Sequence, residues 1–273
     1  MNLWKRTTGG GLKSSPRVYT SPTGDRFKLY AELLNRPHLM IAGATGSGKS
    51  VVINALIYTA LYQHPGDQRG GVGFILIDPK RVELVQYREL PHVLAYASEP
   101  ADRLHALRYA MQLCENRYKI TQKDKRHSLR EWDGGDIYVI IDEFADLMTT
   151  QRRDVMPIIQ RLAQIGRAAH VHIILATQTP IAKIIPTEIK CNFDYRVGLR
   201  TDSAQGSRNI LGLTGCETLP DPKATGAGYG YYKTGADCTL YRLPMIEEKE
   251  LAERVTWWTD QARPHSRSRN RLA

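Results

Sequence analysis

The fold of this chain follows from one stretch, Gly43-Ala44-Thr45-Gly46-Ser47-Gly48-Lys49-Ser50, which fills every fixed position of the pattern G-x-x-x-x-G-K-[ST]. In such a loop the glycines let backbone N–H groups turn toward a polyphosphate, the lysine reaches the β- and γ-phosphates, and the final hydroxyl binds Mg²⁺. A glycine-rich turn that contains a lysine by chance is the alternative, and it requires four fixed positions to coincide. We therefore predict that this stretch, together with Val51 after it, binds the phosphates of a nucleotide.

The sequence around the loop predicts the strand and the helix that a phosphate-binding loop requires. The run at 39–42 is short and apolar, as in a buried strand, and the apolar run from Val51 onward can begin a helix. The phosphates then lie at a helix N-terminus, where free N–H groups attract anions. The run at 72–78 is continuously apolar up to Asp78, as in strands covered on both faces, and further strands are predicted at 137–141 and 172–178. These runs predict an α/β fold with a mostly parallel central sheet flanked by helices.

The composition favours a polyanionic partner and an intracellular setting. Thirty-eight Lys and Arg residues stand against 28 Asp and Glu residues, a formal net charge of +10 over 273 residues. Such a balance favours nucleic acid, although proteins that are merely soluble also carry it. No apolar run approaches the ~20 residues of a membrane span, and residues 1–15 lack the apolar segment of a signal peptide. The four cysteines form no C-x-x-C pair. We expect a cytoplasmic protein with reduced thiols and no transmembrane segment.

Two adjacent carboxylates, Asp142 and Glu143, directly follow the apolar run at 137–141. Carboxylates at the end of a buried strand are costly unless they hold a cation or a polarised water. In P-loop ATPases the first of such a pair binds the Mg²⁺ shell and the second orients and deprotonates the attacking water. We therefore predict that ATP is the nucleotide, that Ser50 and Asp142 bind Mg²⁺, and that Lys49 and Glu143 are catalytic.

Gln178 and Arg167 are further catalytic candidates. Gln178 lies at the tip of the strand predicted at 172–178, where its amide can sense the γ-phosphate. Arg167 lies near the end of a helix predicted at 154–170, and it is either an arginine finger offered to the nucleotide of the next subunit or an arginine that meets the helix dipole. Asp78 and Lys80, at the end of another predicted strand, belong either to the nucleotide site or subunit boundary or to a surface ion pair.

A series of short motifs, in this order, resembles the motor domain of the FtsK/SpoIIIE family of DNA translocases, within the HerA-FtsK superfamily of P-loop ATPases. The similarity covers roughly residues 24–245. It is carried by motifs at 38–50 (HLMIAGATGSGKS), 77–80 (IDPK), 83–84 (EL), 90–92 (LPH), 115–118 (ENRY), 141–148 (IDEFADLM), 161–169 (RLAQIGRAA), 176–178 (ATQ), 202–203 (DS) and 207–208 (SR).

The resemblance implies a RecA-like fold and a hexameric ring of identical subunits, with double-stranded DNA in its pore and ATP bound between subunits. By the same route Arg167 is the preferred trans-acting arginine, with Arg200 and Arg208 as rivals. Three regions are expected: a flexible N-terminal arm at 1–24, the ATPase motor domain at 25–250, and a helix end with a basic tail at 251–273. No module that reads bases is recognisable, so DNA binding is expected to be independent of sequence.

The predicted function is therefore ATP-driven translocation of double-stranded DNA. The full-length members of the family that segregate chromosomes carry membrane helices, a linker and a DNA-reading winged-helix module, for which 273 residues leave no room. A stand-alone motor that serves plasmid, conjugative or phage DNA fits better, with a DNA-processing or membrane partner that the sequence does not identify. The alternative is a superfamily ATPase that drives protein secretion or acts as a coupling protein.

Overall fold

The computed structural model of the chain describes residues 28–36, 38–63, 71–123 and 135–269, with side chains up to residue 260. The arm expected at 1–24 lies outside these ranges. Within them no helix is long and apolar enough to cross a membrane.

One sheet organises the described part of the chain. Its eight strands are β1 (Leu39–Ala42), β2 (Val72–Ile77), β3 (Val93–Ala97), β4 (Asp136–Ile141), β5 (Val171–Thr177), β6 (Tyr195–Gly198), β7 (Gly228–Thr234) and β8 (Asp237–Leu243). They lie in the order β3-β2-β4-β5-β1-β6-β7-β8. The first six are parallel, and β7 and β8 add an antiparallel hairpin at one edge. The mostly parallel sheet expected from the apolar runs is confirmed.

Helices cover both faces of this sheet. They are α1 (Lys28–Leu34), α2 (Lys49–Gln63), α3 (Pro100–Lys123), α4 (Phe144–Thr150), α5 (Arg152–Ile165), α6 (Thr187–Lys190), α7 (Ala204–Leu211), α8 (Pro222–Thr225) and α9 (Glu248–Arg269). Helix α5 ends at Ile165, five residues before the predicted end, because a turn at 166–170 leads into β5. Helix α9 crosses the boundary expected at residue 250, so the division into regions stays a prediction.

The two faces of the sheet each carry a hydrophobic cluster. Along β1 the side chains of Leu39 and Ile41 enter the cluster under α1, α2 and α9, whereas Met40 and Ala42 enter the cluster under α3, α4 and α5. Successive side chains of a strand point to opposite faces, so a strand buried on both faces must be apolar throughout. Because the six strands β1 to β6 pair in parallel, their carboxyl ends lie at one edge of the sheet, where loops can meet.

Candidate nucleotide-binding site

The loop at 43–50 joins β1 to α2 at the carboxyl edge of the sheet. Gly46 and Gly48 have φ angles of +76° and +97°, a backbone conformation that favours glycine and turns the neighbouring N–H groups. The N–H groups of Gly43 and Ala44 donate to the carbonyls of Thr177 (3.3 Å) and Arg200 (2.7 Å), which anchors the loop to the ends of β5 and β6. The loop is therefore held rigidly at its start and has the shape of a phosphate cradle.

Lys49 forms a buried ion pair with Asp142, the first residue after β4. Its Nζ donates to Asp142 Oδ1 and, at 2.9 Å, to the Asp142 backbone carbonyl. The side chains are only 4% and 2% exposed. Burial raises the pKa of Asp142 above its usual range, although Lys49 acts in the opposite direction. Lys49 and the predicted Mg²⁺ ligand Asp142 thus lie together in a desolvated position at the base of the loop.

Glu143 is held in a hydrogen-bond network that spans three loops. Its Oε1 accepts from Thr177 Oγ1 at 2.7 Å, and both of its carboxylate oxygens lie 3.3 Å from the backbone N of Gln178. Lys80 follows β2 in the chain, and its Nζ lies 3.3 Å from Glu143 Oε2. The carboxylate also caps α4 through the N–H of Ala145. A buried carboxylate with several donors is fixed in direction, as a residue that orients water must be.

Gln178 and the phosphate-binding loop are in direct contact, since Thr45 Oγ1 donates to Gln178 Oε1 at 3.0 Å. Ser50 and Val51 lie half-buried in the first turn of α2. Of the two polar residues after β2, Lys80 reaches Glu143, whereas Asp78 is fully buried and accepts from the N–H of Leu84 at 3.0 Å. The structure therefore places Lys80 at the site and gives Asp78 a structural contact in its own loop.

Arg167 lies far from the other predicted site residues of the chain. It is exposed in the turn at 166–170, at the amino end of β5, whereas the phosphate-binding loop follows the carboxyl end of the adjacent parallel strand β1. The seven residues of β5 separate the two edges by roughly 20 Å at 3.3 Å per residue. Arg167 thus cannot reach its own nucleotide site.

Of the two rival arginines, one follows the carboxyl end of a strand and the other lies on a helix. Arg200 follows β6 and pairs with Asp221 at 3.4 Å, and Arg208 is exposed on α7.

Helix α3 holds the turn that carries Arg167. Arg117 Nη1 donates to the carbonyls of Ala169 and His170, both at 2.8 Å, and the Tyr118 hydroxyl donates to the carbonyl of Ile165 at 2.8 Å. Arg117 is only 7% exposed. Residues of the ENRY motif therefore fix both ends of this turn.

Lys223 is a site residue that the sequence reasoning missed. Its Cε lies 3.9 Å from the position that a Cβ on Gly46 would occupy. Asp221 places it there by capping α8 through the N–H of Lys223 and by pairing with Arg200. The Asp-Pro sequence at 221–222 is an N-cap followed by Pro at the first helical position, a sequence signal that could have predicted this short helix.

A buried ion pair at the base of a glycine-rich loop, a carboxylate fixed beside it and a parallel sheet with helices on both faces define a P-loop ATPase. The comparisons agree: the model of the FtsK/SpoIIIE family matches residues 18–137 and 135–182. The chain belongs to the FtsK/SpoIIIE family.

Among its relatives are proteins named DNA translocase FtsK. The protein of Rickettsia bellii is 38% identical over 271 residues, with 84% of this chain and 35% of the relative covered. That of Borreliella burgdorferi is 39% identical over 201 residues, with 69% and 25% covered. The chain thus spans about a third or less of the length of these relatives.

Solved structures show the same fold. The pCW3 conjugation coupling protein TcpA, in its monomer form with ATPγS, superposes with a TM-score of 0.68 at 26% identity, covering 82% of this chain and 65% of that one. The cytoplasmic domain of the Thermomonospora curvata type VII secretion ATPase EccC gives a TM-score of 0.68 at 24% identity, covering 82% and 28%. The RecA-like P-loop fold expected from the resemblance is confirmed.

Proposed function

We propose that the chain hydrolyses ATP at the P-loop and uses that reaction to move double-stranded DNA without reading its sequence. The observation that carries the proposal is the Glu143 network, which joins the carboxylate that would activate water to Gln178 and, through Gln178, to Thr45 of the phosphate-binding loop. The relatives of this chain are named DNA translocases. The net charge of +10 favours a polyanion as the partner.

The residues of the loop fit the phosphates of ATP. Ser47 Oγ is buried without a hydrogen-bond partner among the described residues, and a phosphate oxygen would satisfy it. Gly48 has nothing within 4 Å of the position that a Cβ would take, so its backbone is open to a close approach. Lys49 supplies positive charge to the β- and γ-phosphates once it leaves Asp142.

Ser50 and Asp142 fit Mg²⁺, which prefers oxygen ligands and is bound by one or two protein groups together with substrate phosphates. A hydroxyl from α2 and a carboxylate from the end of β4 are such a donor set. When bound, Mg²⁺ neutralises charge that develops on the phosphates. Glu143 accepts the proton of the attacking water, and Gln178 links the state of the nucleotide to Glu143.

A closed ring completes the site in this proposal. Arg167 is exposed at the edge of the sheet opposite its own P-loop. It can therefore contact only a nucleotide that is bound to a neighbouring subunit in a head-to-tail arrangement. Head-to-tail contacts close into rings when the rotation permits, and we propose six subunits with DNA in the pore. An arginine supplied in trans contributes about 10³ or more to the rate.

The second candidate function is that of a coupling protein or a secretion ATPase. It is favoured by the likeness to TcpA, which is named a conjugation coupling protein. A conjugation motor and a DNA translocase both require DNA, whereas an ATPase that exports protein does not require it.

The discriminating experiment is ATP hydrolysis by the purified chain with and without linear duplex DNA at low salt. We expect DNA to raise the turnover several-fold, and the Glu143→Gln variant to show no turnover in either condition. Turnover that is indifferent to duplex length and concentration would contradict the DNA motor and favour protein export.

A further inference from the structure

Three metal-ligating side chains meet at the amino edge of the sheet, on the side opposite the nucleotide site. Asp136 is the first residue of β4, His170 directly precedes β5, and His172 is the second residue of β5. Asp136 Oδ1 lies 3.0 Å from His170 Nδ1 and 2.9 Å from His172 Nε2. The three donor atoms are all within 4.8 Å of one another.

The backbone holds His170 in a conformation that few residues adopt. Its φ of +53° is left-handed, which costs a residue with a Cβ roughly 1 kcal/mol or more. Its carbonyl accepts hydrogen bonds from the N–H of Ile137 (2.9 Å) and from Arg117 Nη1 (2.8 Å), so both neighbouring elements maintain that conformation. The consequence is that the imidazole is directed at Asp136 across the pair of strands.

The ring of His172 is fixed as well. It stacks on Tyr138, its register partner on β4, with 5.2 Å between ring centroids and 26° between planes. Its side chain is 11% exposed, whereas those of Asp136 and His170 are 29% and 31% exposed. The three donors are therefore preset by the fold and reachable from solvent on one side.

We propose that Asp136, His170 and His172 bind one divalent transition-metal ion, with Zn²⁺ as the best fit. Two imidazole nitrogens and one carboxylate oxygen suit Zn²⁺ and disfavour Mg²⁺. Bond lengths of about 2.0–2.2 Å in a tetrahedron place ligand atoms about 3.3 Å apart. The donors are 2.9 and 3.0 Å apart where they contact Asp136, so a shift of a few tenths of an ångström admits the ion, and water takes the fourth position.

The ion would join β4 to the end of the turn that carries Arg167. Two of its ligands, His170 and His172, lie within five residues of Arg167, and the third lies on the neighbouring strand. Metal binding here requires neither ATP nor a functional P-loop, because the cluster lies at the other edge of the sheet. A chain without motor activity would therefore still bind the ion at this cluster.

The test is metal binding by the 273-residue chain after chelator treatment and removal of the chelator. Co²⁺ is titrated first, since its visible absorption reports coordination, and Zn²⁺ is then added in competition. We expect one Co²⁺ per chain with the intense visible bands of a four-coordinate N/O site, displacement by one Zn²⁺, and a higher melting temperature with Zn²⁺. The Lys49→Ala variant should bind both ions as the wild type does.

Two variants and a control decide the assignment. Asp136→Asn and His170→Asn should each weaken Zn²⁺ binding at least 100-fold, and asparagine tolerates the left-handed conformation of residue 170. His105→Asn changes an exposed histidine on α3 and should leave binding unchanged. Folding of each variant is checked by its circular-dichroism spectrum and ATP affinity. If properly folded Asp136→Asn and His170→Asn bind Zn²⁺ as the wild type does, or if the wild type shows no four-coordinate Co²⁺ bands, the cluster is a hydrogen-bonded group without a metal.

Discussion

Replacing Lys49 by methionine should destabilise the nucleotide-free protein as well as abolish ATP binding. In the structure the ammonium group of Lys49 is paired with Asp142, and both side chains are almost fully buried. Methionine keeps the volume of the side chain but leaves the Asp142 carboxylate without its cation. Breaking a buried pair in this way typically costs about 3–5 kcal/mol, and the structure has no second cation within hydrogen-bond distance of Asp142 among the described residues.

The size of the effect can be read from thermal melts without nucleotide. For a chain of this length, 1 kcal/mol corresponds to roughly 2–4 °C, so the Lys49→Met variant should melt roughly 6–20 °C below the wild type. Adding Asp142→Asn removes the unpaired charge and should recover at least about 2 kcal/mol of that loss. ATP binding should remain absent in the double variant, because the lysine that contacts the phosphates is still missing.

Lys80 provides the matched control for this experiment. Like Lys49 with Asp142, Lys80 forms a lysine–carboxylate ion pair, in this case with Glu143. The side chain of Lys80 is 46% exposed, however, and exposed pairs contribute about 1 kcal/mol or less to stability. Lys80→Met should therefore melt within a few degrees of the wild type. If Lys49→Met melts as high as Lys80→Met, the buried pairing of Lys49 with Asp142 does not exist in solution and the reasoning fails.

Three further predictions concern turnover. Glu143→Gln should bind ATP at wild-type affinity and hydrolyse it at least 100-fold more slowly, because the proton acceptor is lost; wild-type turnover would assign the base to another residue. Arg167→Ala should lose turnover, and mixing it with Lys49→Ala should partly restore hydrolysis at mixed interfaces; co-assembled mixtures that stay inactive would move the trans role to Arg200 or Arg208. Lys223→Ala should raise the KM for ATP about tenfold with a smaller change in kcat, since the end of its side chain lies beside Gly46 of the phosphate-binding loop; unchanged steady-state kinetics would contradict a role for Lys223 in ATP binding.

The central sheet was predictable because its inner strands are buried on both faces. The runs that became β1, β2, β4 and β5 are largely apolar, a pattern typical of strands covered on both faces. Two outer strands carry no such signal: β3, at one edge of the sheet, is half-buried, and the segment that forms β7, next to the other edge, is rich in glycine and tyrosine. Their pairing with β2 and β6 is a tertiary feature, so the local sequence pattern could not reveal these strands.

The nucleotide site was predictable where a motif lies at a strand end, and unpredictable where two loops meet. Lys49, Asp142, Glu143 and Gln178 follow β1, β4 and β5, and the ends of parallel strands meet at one edge. Lys223 reaches the same site from α8, whose path depends on the Arg200 to Asp221 ion pair.

The Asp136 cluster was missed for a related reason. The spacing of His170 and His172, two residues apart, was a partial signal, but His170 precedes β5 with a left-handed backbone, and the register between β4 and β5 that adds Asp136 is a tertiary feature.

The most direct test of the central claim uses a linear DNA duplex to which a third strand is bound as a short triplex. The assay measures whether the chain, supplied with ATP, displaces that third strand. The proposal predicts displacement on two unrelated duplexes, with a lag that grows with the distance between the duplex end and the triplex. Displacement should vanish with a non-hydrolysable ATP analogue and in Glu143→Gln. ATP hydrolysis that DNA stimulates, together with no displacement at any duplex length, would contradict translocation.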